Sequence, residues 1–135
     1  MWRRSCALTL ALFALAAASA RADCKALHRS DRVVLYSSSE DPDVLLWDSR
    51  VRMRDYEDGS FDEMNQLLPH ARVVSQGTRA VVELCVPGFV APQYAKTPED
   101  AIGVIVATGP LRGKFGWVLS SDVRVLQRST PGPHP

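Results

Sequence analysis

Apolar and polar positions are most regularly patterned between Ile102 and Arg124, which reads IGVIVATGPLRGKFGWVLSSDVR. Val104 and Val106 alternate with Ile105 and Ala107, and all four are apolar. That is the pattern of a strand buried on both faces. Gly109-Pro110 stops it and starts a turn. Gly113 and Gly116 follow, where a positive φ, a bulge or a close backbone approach suits glycine. Trp117-Val118-Leu119 is a second apolar run, Ser120-Ser121-Asp122 a turn, and Val123 to Leu126 a closing strand. The stretch therefore predicts a tight hairpin, a brief turn and a last strand.

Upstream, Arg32 to Tyr36 predicts a strand. Asp41-Pro42 has the residues of a helix start. Yet Val51 and Met53 alternate with Arg50, Arg52 and Arg54, a period of two, and strand is the favoured reading of 44–54. Ser60-Phe61-Asp62-Glu63 is a capping box, in which the serine oxygen accepts from the N3 amide and the glutamate reaches back. Phe61, Met64, Leu67 and Leu68 then share one helical face, and Pro69 ends the run. This predicts a two-turn helix packed on the strands. Ala71 to Cys85 supplies further strands, broken at Gln76-Gly77. Pro87 to Asp100, with three prolines, reads as a long loop, with Thr97 to Asp100 as a single capped turn.

GWVLSSDV resembles the end of bacterial Src-homology-3-like (SH3-like) domains, where a GWV strand leads through a short turn to the closing strand. Val106 to Val118, VATGPLRGKFGWV, is similar to the KOW motif of ribosomal and transcription proteins. Both families fold as small, strongly bent five-stranded barrels. The resemblance is close over residues 102–124 and extends loosely back to Arg72 to Val82. It implies a mainly all-β fold, a small SH3-like barrel over residues 23–127 with one short inserted helix near 61–68. In barrels of this kind, peptide or cell-wall ligands dock on aromatics between loops. Tyr94, Trp117 and Tyr36 are therefore candidate ligand-binding residues. Trp47, Tyr56 and Phe89 are further aromatics for such a groove. An aromatic in a strand of a small barrel also serves as core or rim, and Trp117 is open to that reading. Arg112, beside Lys114 on the hairpin turn, is the fourth candidate.

The N-terminus changes the charge balance. Arg3 and Arg4, the apolar run Ala7 to Ala18 and the A-x-A site Ala20-Arg21-Ala22 make residues 1–22 an expected secretory signal. The run is too short to span a bilayer comfortably, and no membrane insertion is expected after its removal. The chain holds 16 Lys+Arg and 15 Asp+Glu. Removing Arg3, Arg4 and Arg21 leaves 13 against 15, a net charge of −2. Nothing basic is left to drive phosphate binding, so no nucleic acid is expected as a partner. Cys24 and Cys85 remain as an even pair in an exported chain and are expected to form a disulfide. The mature length suffices for one domain, and residues 128–135, RSTPGPHP, read as a disordered tail.

No cluster of residues demands a particular chemistry. His28, His70 and His134 are far apart, and none lies in a motif that activates a nucleophile or binds a metal. Asp55-Tyr56-Glu57-Asp58-Gly59 suggests calcium by composition, lacks the spacing of an EF-hand and reads as a solvated turn. No metal, cofactor or catalytic residue is expected. The expectation is an exported, non-catalytic binding domain, periplasmic or secreted, for cell-wall glycopeptide or a protein partner. The alternatives are a structural or accessory subunit pairing through a sheet edge, and a small secreted hydrolase or inhibitor. The native exported chain should show no thiol reactive toward a thiol reagent until denatured and reduced. Labelling of Cys24 or Cys85 before reduction would sink the disulfide.

Overall fold

The computed structural model describes residues 22–39, 43–91 and 98–127. Most of the expected signal, the tail, Asp41-Pro42, Thr97, Tyr94 and His134 lie outside them. The elements are β1 (Arg32–Leu35), β2 (Asp43–Trp47), α1 (Arg50–Asp58), α2 (Phe61–Leu67), β3 (Ala71–Ser75), β4 (Thr78–Val90), β5 (Glu99–Val106), β6 (Phe115–Leu119) and β7 (Val123–Gln127). Short 3-10 turns occupy Leu68–His70 and Ser120–Asp122. All pairings are antiparallel, in one sheet of order β3-β2-β6-β5-β4-β1-β7. The sheet curls into a half-barrel, so the protein is all-β with minor helix.

Seven strands replace the five that the barrel resemblance implies. The two additional strands, β2 and β3, are separated by the helices and attach at the far side of β6. Without that excursion the sheet runs β6-β5-β4-β1-β7. β4 continues through Val90, so the expected loop from Pro87 is shorter at its start. Glu99 and Asp100 open β5 instead of completing a capped turn.

Successive side chains of a strand point to opposite faces of the sheet. One set, including Val33, Leu46, Val82, Val104 and Val118, fills the concave side. Ala22, on the leader side of the expected cut, is fully buried in this cluster. The other set, Trp47, Ala101 and Trp117, faces outward and joins Met53 and Val90 in a second cluster. Trp47 stands opposite Trp117 across β2 and β6.

The period-two reading of 44–54 holds for β2 and fails from residue 50. Ser49 caps α1, its side chain accepting from the Arg52 amide at 3.4 Å. A helix sends Val51 outward, 44% exposed, and turns Met53 fully inward onto the tryptophans. Apolar residues two apart were thus compatible with a strand but satisfied by one inward helical position. The acidic run that read as a solvated turn is the end of this helix. The capping box of α2 is present: the Ser60 amide donates to Glu63 Oε2 at 2.7 Å, and Ser60 Oγ accepts from the Glu63 amide. The expected packing of α2 is not. No α2 residue is buried, Phe61 is 76% exposed, and only Leu67 reaches the outer cluster. The place on the sheet is taken by α1.

Cys24 and Cys85 form the expected disulfide, with Cα atoms 5.6 Å apart and a sequence separation of 61. Closing a loop of that length contributes roughly 4 kcal/mol on the chain-entropy model. A disulfide also points to a non-reducing environment. Among the described residues no helix is long and apolar enough to cross a membrane.

The hairpin glycines play different parts. Gly113 has φ +84°, which suits the β5–β6 turn and resists a side chain. Gly116 has no such φ. A Cβ there would meet the side chain of Leu46, with Cδ2 at 2.9 Å and two other atoms nearer still. Gly116→Val should therefore destabilise the protein by about 1–3 kcal/mol, while Arg112→Ala, at an exposed turn position, should stay within about 0.5 kcal/mol of wild type. Urea unfolding measures both. Equal midpoints for Gly116→Val and wild type would mean that β2 does not lie against β6 as described.

Candidate functional site

The described candidate ligand residues, Tyr36, Arg112 and Trp117, do not gather in one place. Trp117 is 7% exposed and belongs to the outer cluster, with Phe115 edge-on at a centroid distance of 5.5 Å and Arg50 above its ring at 5.6 Å. It packs and does not line an open groove. Arg112 is exposed on the β5–β6 turn. Tyr94 is outside the described residues. Tyr36, 42% exposed, follows β1 at the end of the half-barrel where several carboxylates meet.

The 3-10 turn Ser120–Asp122 organises that end. The Tyr36 amide donates to the Asp122 carbonyl at 2.8 Å, and the Ser38 amide to Asp122 Oδ1 at 2.9 Å. The Ser121 amide donates to Glu99 Oε1 at 3.1 Å, and the Asp100 amide to Ser120 Oγ at 3.2 Å. Asp100 uses both oxygens, accepting from the Cys24 and Gly88 amides, each at 2.7 Å. Glu99 and Asp122 are thus fixed by backbone donors from neighbouring elements.

Glu57 reaches this group from the last turn of α1. Burial pushes its carboxyl up from 4.5 to about 7, and the charges of Glu99, Asp122 and Asp58 push the same way. Asp122 is also raised, chiefly by burial and further by Glu99, with hydrogen bonds from Ser38 and the charge of Arg124 opposing. Glu57 is therefore a carboxyl that holds or releases a proton near neutrality. A cationic group brought beside Glu57, Glu99 and Asp122 would favour its release.

The chain matches no protein family, no curated protein and no solved structure.

Other polar groups offer less. Cys24, Cys85 and Asp100 bring donor atoms within 4.8 Å of one another, but both sulfurs are consumed in the disulfide. His28 Nδ1 lies 3.8 Å from Asp31, and His70 Nδ1 lies 3.4 Å from Asp48. The two histidines thus sit beside different carboxylates. Sequence reasoning missed Glu57, Glu99 and Asp122 as a group. They lie 42 and 23 residues apart, so no spacing ties them. The acidic run containing Glu57 was the one local hint.

The sign of the Glu57 effect on stability follows from linkage. The folded value is raised above 4.5, so between about pH 4.5 and about 7 the native state holds a proton that the open chain has lost. Stability from this group is present below that window and lost as pH rises through it. Glu57→Gln removes the dependence. Its melting temperature relative to wild type should be higher at pH 8 than at pH 4.5. The same offset at both values would show that Glu57 is not held up by its surroundings.

Proposed function

We propose that this chain is an exported, non-catalytic binding domain of the SH3-like kind. Its ligand presents a positively charged group to the carboxylates beside Tyr36. The observation that carries the reading is the convergence of Glu57, Glu99 and Asp122, from α1, β5 and the 3-10 turn, on one end of the half-barrel. Burying like charges costs stability unless something offsets it. A bound cation offsets it, and a site tuned this way gains affinity from the ligand instead of from the fold. The five strands β1 and β4–β7, with a 3-10 turn before the closing strand, support the SH3-like architecture. The disulfide supports export. Cell-wall glycopeptide carrying a free amine is the ligand class favoured, periplasmic or extracellular in setting, and a lysine- or arginine-bearing protein segment offers the same chemistry.

The raised Glu57 favours one other reading. A protonated carboxyl near ionised ones is the arrangement a glycoside hydrolase uses for its acid. Titration calorimetry with soluble cell-wall glycopeptide separates the two. A binding domain should take the free-amine fragment intact, lose about tenfold or more in affinity when the amine is acetylated or Glu99 is changed to Gln, and bind more weakly at pH 5 than at pH 8. The last follows because Glu57 must give up its proton to meet the cation. Cleaved fragments would support hydrolysis. Equal affinity for the acetylated fragment, or none for either, would remove this ligand.

A further inference from the structure

α1 covers only part of the convex side of the sheet. Two cross-strand rows show where the cover stops. Trp117 and Trp47, in the row Leu84–Gly103–Trp117–Trp47, lie in the cluster that α1 closes with Met53. The next row, Arg32–Val81–Ile105–Phe115, crosses β1, β4, β5 and β6 and belongs to neither buried cluster. Phe115 is 44% exposed and Leu84 54%. They are neighbours because residue 103 is glycine: a Cβ there would meet Phe115 Cζ at 2.9 Å and Leu84 Cβ at 3.3 Å. Val81 and Ile105 are half-buried.

This apolar strip has a basic border. Arg32 lies in its row, and Arg79 stands two residues before Val81 on the same face. Both are exposed and form no ion pair with a described residue. Arg50 marks the boundary with α1, over the rings of Phe89 at 5.2 Å and Trp117 at 5.6 Å. Glu83 on β4 is taken by Arg29 at 3.2 Å.

The complement is on the same chain. α2 buries no residue and exposes Phe61, with Leu68 37% exposed just beyond it. Asp58 and Asp62 flank it, exposed and without an ion pair to a described residue. One surface is apolar with arginines around it. The other is apolar with aspartates around it. Like charge disfavours either pairing with itself.

We propose that α2 of one copy of this chain docks on the strip of a second copy, joining unlike surfaces. Each such contact covers the exposed helix of one copy and the exposed strip of the other, and matches their charge borders. Three of the strip's four apolar side chains, Val81, Leu84 and Ile105, are aliphatic and suit an apolar helix face better than nucleobases, which stack on aromatics.

Sedimentation velocity on the purified disulfide-bonded chain tests this. Association should rise with concentration and weaken with added salt. Leu84→Glu alters an exposed position in the strip, and Phe61→Arg one on the helix, so circular dichroism and melting should be unchanged. Each variant alone should associate at least about tenfold more weakly than wild type. An equimolar mixture should recover association, because one variant keeps the helix and the other keeps the strip. A wild-type chain that stays monomeric up to about 1 mM would overturn the proposal. So would variants that associate like wild type, or a mixture no better than its parts.

Discussion

Leu46 fills the volume that a side chain at residue 116 would need. Much of the molecule depends on that one close approach. It lets β2 lie against β6, and it brings Trp47 opposite Trp117. The two rings give α1 an apolar bed, onto which Met53 turns and against which Tyr56 packs, 4.9 Å from Trp47 by ring centroids. With α1 held there, its last turn delivers Glu57 to the carboxylates at the barrel end. A backbone with no side chain at one position of β6 thus governs where an acidic group of α1 ends up. The strand pays for it in entropy, as glycine in a strand does.

The parts legible in the sequence were those set by neighbours in the chain. The hairpin from Ile102 to Arg124, with its 3-10 turn and closing strand, follows from two apolar runs punctuated by Gly109-Pro110 and Gly113. The capping box at Ser60 is local by nature. The cysteine pair was decided by count and context. What stayed hidden was set by partners far along the chain. Val51 and Met53 fit a strand or a helix equally well until Trp47 and Trp117 define which of them has somewhere to go. The apolar face of α2 predicts burial, yet burial needs a surface, and α1 had taken it. Glu57, Glu99 and Asp122 become a group only when the curl of the sheet brings β5 and the 3-10 turn under the end of α1. Of the four candidate ligand residues, Tyr36 lies at that end, and Trp117 serves packing.

The charge distribution separates along the fold. The net charge expected after export is small, which conceals a basic convex strip around Arg32 and Arg79 and an acidic region of Glu57, Asp58, Glu99 and Asp122. A sum over the chain erases that polarity, since fields act locally and are screened within about 10 Å at moderate salt. A net charge of −2 therefore describes the average surface, while recognition is decided patch by patch.

The disulfide has a topological side. It joins Cys24, ahead of β1, to Cys85, in the middle of β4. Everything between is a closed ring: β1, β2, both helices, β3 and the first half of β4. The helical layer is thus a bight tied at both ends. If the layer lifts from the tryptophans, it stays tethered on both sides, while β5, β6 and β7 lie outside the ring altogether. Evolution could lengthen, shorten or replace the contents of such a bight without asking the rest of the strands to change partners.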